Sequence, residues 1–147
     1  MINHGQGVTW SFQLVGLKGS VSLLGSVPDA TLAEFYSRAS VFLFPVREIG
    51  SDVEGFGISP LEANAHGIPV IAGRSGGVTE AVAHGETGIL IPPGKVDAIY
   101  ETTVFLLKNK EVARKMGEAG RLRAEKFKPE LQTEKLLNYL QNTRPNL

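Results

Sequence analysis

The chain has 147 residues, 42% hydrophobic and 20% charged, with 15 basic side chains, 15 acidic ones and no cysteine. That length suits one domain burying roughly two-thirds of its unfolded surface, and so ordinary a composition excludes a coiled coil or a disordered chain. A net charge of zero removes the basic footprint of a general nucleic-acid binder, and the missing thiols exclude disulfides, thiol catalysis and thiolate metal sites.

The first residues, MINHGQGVTW, carry no basic head followed by an apolar core, so they do not read as a signal peptide. The longest apolar runs, such as VFLFPV (41–46), are too short to span a bilayer. A cytoplasmic protein is the expectation.

WSFQLVG (10–16) and VSLLG (21–25) read as strands, followed by a helix over 29–39 with Leu32, Phe35, Tyr36 and Ala39 on one face. VFLFP (41–45) has the continuous apolar pattern of a strand buried on both sides. A polar loop (46–53) leads to a helix through PLEANAHG, then the strand PVIA (69–72) and the Gly-rich turn RSGG (74–77). TEAVAHG predicts a short helix ended by Gly85, and GILIPPG (88–94) a strand stopped by two prolines. From Lys95 onward the pattern is helical, over 95–108, 110–126 and 129–142. Alternating strands and helices imply a parallel, doubly wound α/β sheet. Only Leu17 to Ser20 join the first two strands, too few for the crossover that parallel neighbours need.

In such sheets ligands sit beyond the carboxyl ends of the strands, which is where the loop after VFLFP delivers DVEGFGISPLEA (52–63). Two readings of that stretch stand side by side. Ser59-Pro60-Leu61-Glu62 fits a capping box, with Ser59 as N-cap and Glu62 bonding back to the cap amide. A glycine turn opening a helix also lets ligand oxygens approach the backbone, and unpaired amides there favour phosphate. Gly57 and Ile58 are the amides placed for that task. Glu54, before the turn, can accept hydrogen bonds from sugar hydroxyls, and Glu62, one turn into the helix, from a ribose diol. An anion-binding turn between two acceptors suits a nucleotide-sugar. Glycosidases need paired carboxylates facing each other across one glycosidic bond, and a second glutamate inside a helix fits a donor clamp better.

The stretch EGFGISPLEANAHGIPVIAGRSGGVTEAVAHGETGILIPPG (54–94) resembles the donor-binding half of a family 4 glycosyltransferase, a retaining enzyme of the GT-B fold. Glu54 and Glu62 meet the family's Glu-x7-Glu spacing. Gly67, Pro69, Val70, Gly76, Gly77, Gly85, Gly88 and Pro92 meet the blocks that follow. The resemblance runs from about residue 10 to 142 and is tightest over 40–94. It implies a Rossmann-like doubly wound sheet, the C-terminal half of a GT-B enzyme, occupying 1–147 as one nucleotide-sugar-binding domain without the N-terminal acceptor domain. It also implies roles. Glu54 matches the catalytic-face glutamate on the transferred sugar, Gly55, Phe56 and Gly57 the amides lining the sugar pocket, Ile58 the amide beside the diphosphate, and Glu62 the ribose glutamate. No metal or other cofactor is implied, since the nucleoside diphosphate sugar is itself the substrate. The family's Arg/Lys diphosphate clamp has no counterpart before WSFQLVG, so the isolated chain is expected to be inactive alone. The alternatives are a non-catalytic nucleotide-sugar-binding or interaction module, or a GT-B nucleotide-sugar epimerase.

His4, His66 and His84 have no partners at metal-ligand spacing, and His66 and His84 each precede a glycine at a helix end, where a partly charged imidazole suits the dipole. Gly16-Leu17-Lys18-Gly19 is not the Gly-x-Gly-x-x-Gly of a dinucleotide fold. In 108–128, Arg114, Lys115, Arg121 and Arg123 alternate with Glu111, Glu118 and Glu125, the pattern of a solvated face, with weak peripheral contact to anionic lipid as the sharper reading. Arg47 and Arg74 flank the expected crevice. Leu131, Leu136, Leu137 and Leu140 predict an apolar helix face able to drive self-association.

Overall fold

A computed structural model describes residues 20–22, 24–46 and 57–142. The elements are α1 (Asp29–Arg38), β1 (Phe42–Phe44), α2 (Ile58–Ala65), β2 (Val70–Gly73), α3 (Val78–Ala81), β3 (Gly88–Ile91), α4 (Val96–Lys108), α5 (Lys110–Glu125) and α6 (Pro129–Asn142). The expected strand at 10–16 and the loop carrying Glu54 lie outside the described residues.

The three strands form one parallel sheet in the order β1-β2-β3, with Phe42 opposite Val70 and Val70 opposite Gly88. Successive side chains of a strand point to opposite faces, and both faces of β2 are used. Val70 and Ala72 pack with Tyr36, Ala63, Val78 and Val82, whereas Ile71 packs with Ile91, Leu106 and Met116. Helices α1, α2 and α3 therefore cover one face and α4 and α5 the other, the doubly wound α/β architecture expected of the alternating pattern. All four residues of β2 are buried, as its central position requires.

Helix α5 ties the two layers together. Met116 belongs to the core on the α4 side, yet Gly117 and Gly120 lie against Gly67 and Asn64 at the C-terminal end of α2. Farther along, Arg123 donates from Nε to the Ala81 carbonyl at 3.2 Å and from a terminal nitrogen to the Glu80 carbonyl at 2.5 Å, capping α3. Its guanidinium also lies 5.7 Å from the centre of the Phe127 ring. The expected solvated face is confined to the other side of this helix, where Arg114 bridges Glu111 and Glu118.

Two expectations about strands are corrected. β1 is not buried on both sides, because Leu43 is 44% exposed. Of the strand expected at 21–25, the described residues 21, 22, 24 and 25 lie in no strand; Val21 and Leu24 stand exposed and join no ladder among the described residues. Apolar β-branched content reports fit to a half-covered surface, and a strand exists only where a partner supplies the ladder. On α6, Leu131 and Leu137 are exposed, while the side chains of Leu136 and Leu140 lie outside the described residues.

Candidate functional site at the start of helix α2

Gly57 holds φ 76° and ψ 57°, the left-handed conformation that only glycine adopts without strain. It is buried, and a Cβ there would stand 3.3 Å from the Val78 side chain. The sequence therefore needs glycine here twice over, for the turn and for the close passage of α2 beside the start of α3. The same residue is the N-cap of α2, and as a glycine it has no side chain with which to cap the helix. The expected capping box is corrected: Ser59 is the second helical residue, and Glu62 bonds elsewhere. With a left-handed glycine as cap, the first helical amides, Ile58 and Ser59, point out of the helix without an intrahelical acceptor. Pro60 has no amide to offer. The Ile58 side chain is 66% exposed.

Because α1 leads into β1 and α2 leads out of it, both helices start at the carboxyl edge of the sheet and run side by side. Asp29, Leu32, Ala33, Tyr36, Glu62 and His66 line a groove of about 280 Å³ between them. The Tyr36 hydroxyl donates to Glu62 Oε2 at 3.2 Å. Its ring stacks on His66, with centroids 5.0 Å apart and planes within 15°, and tilts against Phe42 at 5.9 Å. Burial first, then the neighbouring Glu62 charge and its hydrogen bond, hold the Tyr36 phenol above its ordinary value.

Of the expected site residues, Gly57, Ile58 and Glu62 come together on the first turns of α2; Glu54, Gly55, Phe56 and Arg47 lie outside the described residues. Arg74 is exposed and its amide donates to the Ile91 carbonyl at 2.7 Å. The role of Tyr36 was missed by sequence reasoning, which placed it only on one face of its helix; its signal was the Glu62/His66 pair at i, i+4, which makes a slot for one ring. Ser75, in the turn between β2 and α3 at the same edge, keeps a buried hydroxyl with no hydrogen-bond partner, a rare state for such a group.

The helix-end placement of His84 is corrected: α3 stops at Ala81, and the His84 ring serves the turn before β3, its Nδ1 accepting the Leu90 amide at 3.0 Å. Among the described residues no three His, Asp or Glu side chains converge as metal ligands, and no helix is long and apolar enough to cross a membrane. A larger cavity of about 430 Å³, lined by Ser40, Pro69, Lys110 and Arg114 among others, opens at the amino edge of the sheet, away from where α/β sheets hold ligands.

The model of the glycosyl transferases group 1 family matches residues 11–123. The chain belongs to that family. Its members are retaining glycosyltransferases of the GT4 class with the GT-B fold. A similar relative is the GDP-mannose-dependent alpha-(1-6)-phosphatidylinositol monomannoside mannosyltransferase of Mycobacterium tuberculosis, 42% identical over 108 residues, which is 72% of this chain and 28% of that protein. This chain thus spans under a third of the length of that curated relative. Among solved structures, the C-terminal domain of the group 1 protein LpcC from Francisella tularensis superposes with TM-score 0.60 at 23% identity, covering 69% of this chain and 50% of that one. HepE of Anabaena, solved with UDP-glucose, gives TM-score 0.70 at 22% identity over 86% of this chain and 34% of that one. At those identities the two likenesses speak for the fold, and the fold they share is the C-terminal half of a GT-B enzyme.

Proposed function

We propose that this chain is the donor-binding domain of a retaining glycosyltransferase that moves a sugar from a nucleoside diphosphate sugar to an acceptor. One observation carries the reading: the left-handed Gly57 opens α2 with outward amides and sets Glu62 one turn beyond them. The diphosphate leaves with negative charge as the sugar acquires oxocarbenium character. Preorganised amides and the positive end of a helix stabilise that charge where it develops. Ile58 and Ser59 supply the amides. Glu62 is a poor neighbour for phosphate but a good acceptor for the ribose diol, and so fixes the nucleotide's orientation. Glu54, Gly55 and Phe56 are assigned to the transferred sugar on the strength of the motif. The name of the mycobacterial relative supports GDP-mannose as the first donor to try. The matched stretch covers 28% of that enzyme, so the reading for this chain is donor binding.

Thermal melts with GDP, UDP and ADP test the proposal. A nucleotide at 100 times its dissociation constant adds about 2.7 kcal/mol, a rise of roughly 5–10 °C for a domain of this size. Stabilisation by one nucleotide that disappears in Glu62→Ala is the expected result. No response to any of the three would overturn it.

A further inference from the structure

The proposed donor site assigns Glu62 to the ribose, yet nothing in α2 itself fixes where that carboxylate points. Glu62 is exposed, and an exposed glutamate on a helix samples several rotamers at little cost. What limits it comes from another element. Tyr36, 26 residues earlier on α1, sends its hydroxyl to Glu62 Oε2. Three contacts fix the phenol: the ring lies flat on His66, tilts against Phe42, and is buried in the core that holds α1 to the sheet. Glu62 and His66 are one helical turn apart on the same face of α2, so the ring seated against one delivers its hydroxyl to the other. Oε1 has no donor among the described residues and shares the groove with Asp29 and Leu32.

From this geometry, and resting on the donor-binding reading above, we infer that Tyr36 is a positioning residue for the ribose clamp: it tethers one oxygen of Glu62 and leaves the other turned to the sugar hydroxyls. The tether is 3.2 Å long, longer than an ordinary O–H···O bond, so it biases the carboxylate without immobilising it. Its removal should therefore cost a several-fold effect, specific to the hydroxyls that Glu62 receives.

The test measures dissociation constants of this chain for GDP or UDP, whichever binds more tightly, and for its 2′,3′-dideoxy form. Wild type should prefer the ribonucleotide by about tenfold or more, the worth of hydrogen bonds to a charged acceptor. Tyr36→Phe keeps the ring in its slot and deletes only the donor. It should weaken the ribonucleotide by roughly 3–10-fold, leave the dideoxy form within about twofold, and have no further effect in a Glu62→Ala background. Equal weakening of both nucleotides would mean a merely structural tyrosine, and unchanged discrimination would mean no tether; either overturns the inference while the donor reading stands. Failure of wild type to bind any nucleotide would overturn both.

Discussion

Gly117 on α5 lies so close to the carbonyl oxygen of Gly67 that a Cβ at position 117 would overlap that oxygen. Three residues on, a Cβ at Gly120 would overlap the side-chain oxygen of Asn64. These two contacts let α5 cross the end of α2 at backbone distance. Alanine is the better helix former by roughly 1 kcal/mol, so in an open helix either substitution would stabilise. Here overpacking wins: Gly117→Ala should cost about 1–3 kcal/mol, read as a lower midpoint in urea with unchanged slope. A more stable variant would show that α5 can move aside.

Arg123 and Arg114 sit nine residues apart on α5 and predict opposite outcomes. Arg123 bonds the free carbonyls ending α3, and charge-assisted bonds of that kind contribute roughly 1.5–3 kcal/mol. Among the described residues Arg114 makes ion pairs only with exposed Glu111 and Glu118, a class worth little in water. Arg123→Ala should lower the melting temperature clearly, and Arg114→Ala should leave it at the wild-type value. Equal effects would contradict the assignment of Arg123 as a cap.

His84→Ala removes the acceptor of the Leu90 amide and leaves a donor stranded in a buried strand. The expected loss is about 1–3 kcal/mol, with faster hydrogen exchange at Leu90 as its local signature. An unchanged exchange rate at Leu90 would show that this amide finds another partner.

Tyr36 sets an alkaline limit. Its phenol titrates above the ordinary value in the folded state because of burial and the facing Glu62, with His66 and Asp29 as the other titratable groups lining that groove. The folded state therefore keeps the proton more tightly than the unfolded one. Stability from this group is fully present below about pH 10 and declines as pH rises through the higher folded value. Tyr36→Phe should flatten that decline in melts between pH 9 and 11. An identical decline in the variant would assign it to other groups.

What the sequence made legible follows from which signals are local. Helices α4 to α6 were expected within about one residue, because a 3.6-residue period bounded by Asn109 and Pro129 needs nothing from elsewhere. The parallel, doubly wound sheet followed from alternation alone. The misread features depend on partners distant in sequence. Ser59 looked like a cap because its spacing to Glu62 is right, but the left-handed turn at Gly57 took the cap position. Leu43 looked buried because an apolar run does not say which face lacks a cover. Tyr36 read only as part of a helix face because its hydroxyl partner is 26 residues away. The close approach of α5 did leave a trace, two glycines at i, i+3 inside an otherwise strong helix, which packing explains better than flexibility.

The central claim is that a nucleoside diphosphate binds at the start of α2, between Gly57, Ile58 and Glu62. Amide chemical shifts followed during a GDP titration of the labelled chain test it most directly. The account predicts the largest displacements at Gly57, Ile58 and Ser59, with Tyr36 and Glu62 moving in the same saturable step. Displacements centred on Ser40, Lys110 and Arg114 at the opposite edge of the sheet, or none with GDP, UDP or ADP, would contradict it.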